Sequence, residues 1–371
     1  MRALFGSYVP VELAPGVPAT LVIGYRAGLA ILNDPDRFTA DPRDWQQTVE
    51  EDCPALPVLG WRPIPMRNTG HAHARLRSVV NAALEDVDLH AVRRAVERTA
   101  VPLINAFCTT GTADLVADYA SPLVFAVITD LLGCPPAIGR KAAAQLAAIA
   151  DGVDVQKAGR ALEASLFELM KLKLATPGTD VASRLLHHGT ALGDDEILQQ
   201  LLLFYGIGME PLQALITNTL RLLLIDEPFS DDIISGAVST TDALEHVLFA
   251  DPPLPNNCVR YPVRPALLDG VRLPAHQPVV VSVAACNNDP EITGDRRSGN
   301  RAHLAWSAGP HACPARPLAY LIAQCAMEQL LEALPGLAVA GTELRWRPGP
   351  MQRALVELPV VFEPAPPLPT Y

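Results

Sequence analysis

Cys313 has the surroundings that most clearly indicate chemistry. It lies in the stretch WSAGPHACPARPLA, two residues after His311, in a loop of small residues and prolines that leads into an apolar run with helical spacing. At the start of a helix, free backbone N–H groups and the helix dipole stabilise a thiolate and lower the pKa of its thiol. Cys313 is therefore a candidate metal ligand. A buried apolar cysteine would more often lie within a helix or strand, and a nucleophile would need His311 on the same side.

A single thiolate restricts the kind of metal site. A structural zinc site takes four protein ligands, whereas a haem iron can be held by one cysteine. The other six cysteines are scattered and form no C-x-x-C pair, so they indicate neither a disulfide framework nor a zinc knuckle. We interpret these six as buried apolar residues.

The composition and the apolar periodicity predict a mainly α fold with small β-sheets. Hydrophobic residues make up 49% of the 371 residues and aromatic residues only 5%, with alanine and leucine dominant. These residues favour helices. No linker divides the chain, so we expect one domain over residues 1–371. Helical spacing occurs in residues 88–107, 115–133, 139–151, 157–173, 194–225 and 240–249. Short strands are predicted near the start, after Pro252 and in the tail.

Charge and hydropathy exclude two classes of function. The net charge is −11 and no Lys/Arg run provides a basic face, which argues against a general nucleic-acid binder. The first residues lack the apolar stretch of a signal peptide, and no uncharged apolar run reaches membrane-spanning length. We expect a cytoplasmic monomer without a membrane segment.

The loop around Cys313 resembles the haem loop of the cytochrome P450 family, F-G-x-G-x-H-x-C-x-G-x-x-L-A. Ser307 and Ala315 stand where two of the family's glycines would be. The resemblance extends in the expected order from about residue 18 to 362, and it implies a P450-like single-domain fold. It also implies haem b with Cys313 as the axial thiolate ligand. The matching residues are Trp306, Gly309, His311, Cys313, Leu318 and Ala319.

Further segments resemble the family's contacts to the haem propionates. His73 and Arg77 in HAHARLR match H-x-x-x-R and share one helix face, because they are four residues apart. Arg260 in VRYPV matches another propionate arginine. With His311, the resemblance implies that these residues bind the cofactor. Taken alone, HAHARLR could equally be a solvated basic face.

Two departures from the family are visible. In the long helix expected to pass over the haem, the acid Glu210 is kept, but Pro211 replaces the threonine whose hydroxyl helps to deliver protons. Proline also lacks an N–H and disrupts a helix at the carbonyl four residues back. We regard Glu210 and Pro211 as the catalytic positions of this helix.

The second departure concerns the family's helix motif E-x-x-R. Glu245 is present, but Leu248 stands where the arginine should be. An unpaired buried carboxylate would be costly, so another partner is predicted. The candidates are Arg296, Arg297 and Arg301. The chain resembles a bacterial branch of the family that lacks this arginine.

The substrate pocket predicted from the resemblance is mixed in polarity. Amides stand beside methionines, which fits a substrate containing amides better than a purely apolar one. Our first hypothesis is therefore oxidative cross-linking of tyrosine with histidine or tryptophan in a short peptide. The alternatives are hydroxylation of a small secondary metabolite and a non-catalytic haem or ligand carrier. The predicted lining residues are Gly206, Met209, Gln213, Asn256, Asn257, Met351 and Gln352.

The chain contains no flavin or iron–sulfur region, so electrons must come from a partner. The resemblance implies a ferredoxin with its ferredoxin reductase. Acidic ferredoxins dock on basic patches, so a local basic area is expected despite the net charge. Its candidate members are Arg316 and, less directly, Arg296 and Arg297.

Overall fold

The structure is a computed structural model that describes residues 1–150, 152–225, 239–292, 300–341 and 343–369. Helices predominate, joined by short strands. The helices are α1 (Arg2–Phe5), α2 (Tyr25–Leu32), α3 (Arg43–Gln46), α4 (Leu56–Leu59), α5 (Gly70–Glu85), α6 (Leu89–Phe107), α7 (Ser121–Leu131), α8 (Pro136–Ala150), α9 (Val155–Ala175), α10 (Val181–His187), α11 (Asp194–Gly206), α12 (Glu210–Ile225), α13 (Thr240–Ala250), α14 (Val283–Asn287) and α15 (Arg316–Ala333). The strands are β1 (Tyr8–Ala14), β2 (Val17–Val22), β3 (Phe38–Thr39), β4 (Thr112–Asp114), β5 (Cys258–Pro262), β6 (Ala266–Leu268), β7 (Val271–Leu273), β8 (Val279–Val281), β9 (Ala338–Val339) and β10 (Pro359–Val361).

The mainly α architecture confirms the fold class predicted from the sequence. Helix α15 begins at Arg316, next to the proline that favours a first turn, and ends before Pro335. The predicted 194–225 helix is divided into α11 and α12. No helix in the described ranges is both long and apolar enough to cross a membrane.

The described residues form two compact units. The first unit comprises residues 1–75, 239–292, 300–316 and 346–354. The second comprises residues 76–150, 152–225, 317–341, 343–345 and 355–369. That the chain acts as a single domain remains a prediction.

A five-stranded sheet organises the first unit. Its order is β1-β2-β8-β5-β3, with β2 and β8 parallel and the other pairs antiparallel. The consecutive valines of β8 are all buried, as expected for a strand covered on both faces. One face packs on Ile31 and Leu32 of α2, and the other on Trp45 and Leu59. This sheet therefore fixes β5, which carries Arg260.

The second unit is a helical assembly with a small sheet. Its three strands run in the order β4-β10-β9, with both pairs antiparallel. The hydroxyl of Tyr119, which is fully buried, donates to the Ala326 carbonyl of α15 at 2.6 Å. Helix α15, which follows the Cys313 loop, is thereby anchored within this unit.

Candidate haem site

The loop before α15 holds Cys313 through backbone turns. The Cys313 N–H donates to the Trp306 carbonyl at 2.8 Å, and the Ala312 N–H donates to the Gly309 carbonyl at 3.1 Å. A 3₁₀ turn spans Gly309–His311. Cys313 is partly exposed and lies three residues before the first residue of α15. Its backbone is therefore fixed, while its side chain is not enclosed by protein.

Two residues of this loop adopt left-handed backbone conformations. Gly309 has φ 64°, and a Cβ there would lie 2.6 Å from the Leu32 carbonyl oxygen, so only glycine fits. Ser307 has φ 60°, although it carries a side chain. Such a conformation costs a non-glycine residue roughly 1–2 kcal/mol. The buried Ser307 Oγ also has no hydrogen-bond partner among the described residues.

The structure brings together His311 and His73, two of the residues that the resemblance assigned to cofactor binding. Their ring centroids are 4.2 Å apart, with the planes tilted by 37°. Nε2 of His311 lies 3.0 Å from the Asn68 carbonyl, which can only accept, so Nε2 is the donor. His73 is buried at the start of α5. An imidazole of the cysteine loop therefore lies against an imidazole of α5.

Arg260 tests whether these residues fit a haem. The residue is only 4% exposed, and its Nη1 donates to the neighbouring Val259 carbonyl at 2.8 Å. Its Nη2 is buried without a hydrogen-bond partner, and no ion pair joins Arg260 to a carboxylate in the described part of the chain. Burial lowers the pKa of this guanidinium. A buried cation needs an anion, and a haem propionate would supply one.

Arg77, the remaining predicted propionate residue, follows His73 by one turn of α5. Its Nε donates to Asn81 Oδ1 at 2.9 Å on the same helix. Arg77 belongs to the second unit, whereas His73, Arg260, His311 and Cys313 belong to the first. Its contact with the cofactor remains a prediction.

The other cysteines are poorer candidates for the thiolate. Five of the seven are buried, and only Cys258 and Cys313 are partly exposed. Burial raises the pKa of Cys134, of Cys325 and of Cys286, the last to about 12, which keeps them protonated. Cys258 lies within the ladder of β5. Cys313 is therefore the best candidate for the thiolate, because it is partly exposed and lies in a loop just before a helix.

The break between α11 and α12 confirms the disruption predicted before Pro211. In an unbroken helix, the N–H of residue 211 would donate to the Ile207 carbonyl. Proline has no N–H, and Ile207 is the first residue of the break. The Gly208 N–H reaches back five residues to the Leu203 carbonyl at 3.2 Å. A Cβ on Gly208 would meet the Phe204 carbonyl oxygen. Glu210, partly exposed, is the first residue of α12.

The predicted pocket residues are dispersed over both units. Gly206 is exposed at the end of α11, Met209 is buried, and Gln213 is partly buried on α12. These three residues belong to the second unit. Their role as substrate contacts remains a prediction.

The remaining four predicted pocket residues lie in the first unit. Asn256 Nδ2 donates to the Pro350 carbonyl at 2.6 Å, and Met351 packs against the apolar cluster around Trp45. Asn257 and Gln352 are partly exposed. The Asn256 amide is thus engaged with the turn at residues 346–354, which weakens the argument for a pocket lined with amides.

The partner of Glu245 includes a residue that sequence reasoning missed. Within the described ranges, His303 is the closer partner, with its Nε2 2.9 Å from Glu245 Oε2. Arg301, which was among the candidates, lies 3.7 Å from Glu245 Oε1 and is more exposed. Arg296 and Arg297 lie outside the described residues. His303 lies in the segment NRAHLAWSAG that leads into the cysteine loop, and its local spacing does not mark it as a partner of Glu245.

A buried amide also connects the helix of Glu245 to this approach. Asn287 is fully buried; its Nδ2 donates to the Leu248 carbonyl at 3.0 Å, and its Oδ1 accepts from the Leu304 N–H at 2.8 Å. Leu248 stands where the family has an arginine. Its backbone carbonyl is therefore linked, through Asn287, to Leu304 in the segment before the cysteine loop.

Comparisons with known proteins identify related chains and structures. No protein-family model matches the chain. Cytochrome P450 monooxygenase PikC from Streptomyces venezuelae is 31% identical over 368 residues, covering 94% of this chain and 86% of PikC. Mycinamicin IV hydroxylase/epoxidase from Micromonospora griseorubida is 30% identical over 368 residues, covering 94% and 90%. The structure of CYP154C4 from Streptomyces sp. ATCC 11861 superposes with a TM-score of 0.89 at 27% identity, covering 98% and 94%.

The fold and these relatives define a P450-type oxidoreductase whose cofactor is a haem ligated by a cysteine thiolate. The chain belongs to the cytochrome P450 family. The resemblance inferred from the haem loop is therefore confirmed, as is the haem-thiolate cofactor.

Proposed function

We propose that Cys313 is the axial ligand of the haem and that His73, Arg77, Arg260 and His311 bind its propionates. The observation that carries the proposal is the buried Nη2 of Arg260, which lacks a protein partner in the described ranges. An anion at this position relieves the cost of burying the guanidinium. The adjacent histidines of the cysteine loop and α5 bring two more polar rings to the same unit.

The haem, when bound through a thiolate, supplies the activation of dioxygen. The protein contributes binding, orientation and proton supply. The carboxyl group of Glu210 has oxygens that can exchange a proton, whereas Pro211 has neither a hydroxyl nor an N–H to donate. Glu210 is therefore our candidate proton carrier of α12. The break at residues 207–209 frees backbone groups that can orient water beside it.

We infer that the reaction is hydroxylation of a small secondary metabolite. The relatives named as a monooxygenase and as a mycinamicin hydroxylase support this choice, since each aligns over most of its own length. Oxidative cross-linking of a short peptide remains the second candidate. The polar Gln213 and Gln352 keep that possibility open, but the engagement of Asn256 with Pro350 weakens it. A ferredoxin with its reductase is the proposed electron source, and the exposed Arg316 is a candidate docking residue.

Isotope labelling separates the candidates. Purified enzyme with ferredoxin and reductase is supplied with ¹⁸O₂ and with panels of small secondary metabolites and of tyrosine-containing peptides. Hydroxylation adds one labelled oxygen to a metabolite, whereas cross-linking removes two hydrogens from a peptide and leaves no label. Turnover of peptides alone would overturn the proposed hydroxylation. Haem binding without turnover of either panel would leave the carrier hypothesis.

Glu210→Gln tests the proton supply in the same assay. We expect turnover to fall roughly 10²-fold, in the range typical of a lost general acid. The haem absorption spectrum should stay unchanged, because the substitution is nearly isosteric and Glu210 is not proposed to bind the cofactor. Unchanged turnover would contradict the assigned role.

A further inference from the structure

A second arginine is buried near Arg260 and was not singled out from the sequence. Arg67 is 5% exposed and ends the 3₁₀ turn Pro65–Arg67. Its Nη2 donates to the Val58 carbonyl at 2.8 Å, which is the single hydrogen bond of its side chain within the described residues. No carboxylate of those residues forms an ion pair with it. Arg67 thus holds a buried positive charge without an acidic partner.

Helix α4, whose Val58 carbonyl accepts from Arg67, packs against strand β5. Leu59 of α4 lies in the same apolar cluster as Val259 and Tyr261, the residues on either side of Arg260. Burial lowers the pKa of Arg67 and of Arg260, and the charge of Arg67 further lowers the pKa of Arg260. Both arginines are therefore buried cations without an acidic partner in the described residues, and an anion would offset the cost of each.

The residue after Arg67 connects the same turn to the cysteine loop. The Asn68 carbonyl accepts from His311 Nε2 at 3.0 Å. The Asn68 side chain is held by Trp61 Nε1, which donates to Oδ1 at 3.2 Å, and its Nδ2 donates to the Ile64 carbonyl at 2.8 Å. The backbone next to Arg67 is therefore hydrogen-bonded to His311, which lies two residues before Cys313.

We propose that Arg67 is a further cation of the haem site and pairs with a propionate carboxylate through the guanidinium N–H groups that do not bind Val58. The proposal rests on the haem site proposed above. A guanidinium has five N–H donors, so one bond to Val58 leaves ample capacity for a carboxylate. The haem would then neutralise Arg67 and Arg260 together, with its two propionates matching the two buried cations.

Arg62 provides a matched control. It lies five residues earlier in the same segment and donates from Nη2 to the Pro57 carbonyl at 3.3 Å, but it is exposed. Arg62→Gln and Arg67→Gln thus remove the same charge from the same segment, while glutamine retains an N–H for the carbonyl. Arg67→Lys keeps the charge but not the planar fork.

Haem retention is measured in the purified holoenzyme as the rate of transfer to excess apomyoglobin. We expect Arg67→Gln to lose haem at least about tenfold faster than wild type, because a charge-assisted bond to a carboxylate is lost. Arg62→Gln should match wild type, and Arg67→Lys should lie between them. Equal rates for the two glutamine variants would overturn the proposal.

The reduction potential gives a readout that a purely structural role would not predict. Removing a cation near the haem disfavours the added electron, so Arg67→Gln should have a more negative potential, while Arg67→Lys should remain near wild type. If Arg67→Gln does not fold, the Raman bands of the propionates are compared between wild type and Arg67→Lys. Unshifted bands would overturn the proposal.

Loss of the thiolate spectrum in Cys313→Ser tests the proposed haem ligand separately.

Discussion

The carboxylate of Glu245 on α13 and the imidazole of His303 in the approach to the cysteine loop are joined at 2.9 Å, with both side chains nearly buried. Nδ1 of His303 accepts from the Ala305 N–H at 3.2 Å, so Nε2 must donate to Glu245. In a chain with Leu248 in place of the family's arginine, this pair ties the helix to the haem loop.

Two substitutions of His303 separate hydrogen bonding from packing. His303→Leu removes the donor that lies 2.9 Å from the buried Glu245 carboxylate, and we expect the free energy of unfolding to fall by about 3 kcal/mol. His303→Gln retains an N–H donor and should cost less than half as much. Arg301, whose side chain is 57% exposed, should contribute under about 1 kcal/mol when changed to glutamine. Denaturant titration measures all three, and a larger loss in Arg301→Gln than in His303→Leu would refute the ranking.

The two positions where glycines of the family motif are replaced should respond to glycine in opposite ways. Ser307 has a positive φ and a buried hydroxyl, so Ser307→Gly removes strain and should stabilise the protein by up to about 1 kcal/mol. Ala315 is not among the described residues with positive φ, so it needs no glycine. Ala315→Gly should destabilise the protein by up to about 1 kcal/mol, because glycine gives the unfolded chain more conformational freedom. Thermal unfolding of the two variants checks the signs, and equal signs would contradict the account.

The break between α11 and α12 should depend more on Gly208 than on Pro211. A Cβ on Gly208 collides with the Phe204 carbonyl, whose backbone cannot move without shifting α11. Gly208→Ala should therefore lower stability by about 2 kcal/mol or more, in the range of a strained backbone. Pro211→Ala should change stability by less than about 1 kcal/mol, because proline is tolerated in a first turn. Urea unfolding of both variants measures the difference; a larger loss for Pro211→Ala would reverse the assignment.

The ion pair of Lys173 and Asp180 should make stability depend on acid pH. Burial raises the pKa of Asp180, but hydrogen bonds from Lys173, at 2.7 Å, and from Ser183 outweigh it and lower the pKa overall. The pair therefore stabilises the protein above the unfolded aspartate pKa of about 3.9, and this contribution is lost as pH falls through the depressed value.

Lys173→Met should thus lower stability by about 2–3 kcal/mol at neutral pH, and the difference from wild type should shrink below about pH 4. Lys141→Met is the control, since Lys141 pairs with Glu168 at 2.6 Å but both side chains are more than half exposed. That pair should be worth under about 1 kcal/mol. Urea midpoints across pH test this, and a constant difference at all pH values would contradict the assigned charge.

Local chemistry in the sequence predicted much of the fold and part of the site. Helical periodicity located α6 and α9 to within two residues, and the lack of an N–H in Pro211 predicted the break before α12. These features depend on neighbours in the chain. The resemblance assigned His73 and His311 each to cofactor binding, but their contact was not predicted, because 238 residues separate them in sequence.

The missed residues depend on tertiary packing. His303 pairs with Glu245 across 58 residues, and no local pattern distinguishes it from a surface histidine. Arg67 lies in an irregular turn, where periodicity carries no information about burial. The engagement of Asn256 with Pro350 likewise depends on a contact across 94 residues.

The reduced, carbon monoxide-bound absorption spectrum tests the proposed ligation most directly. Wild type should show the strongly red-shifted band of thiolate-ligated haem, and Cys313→Ser should lose it. Cys325→Ala, which changes a buried cysteine of α15 at 1% exposure, is the control and should retain the band. A red-shifted band that persists in Cys313→Ser, or its loss in Cys325→Ala alone, would contradict the assignment of Cys313 as the haem ligand.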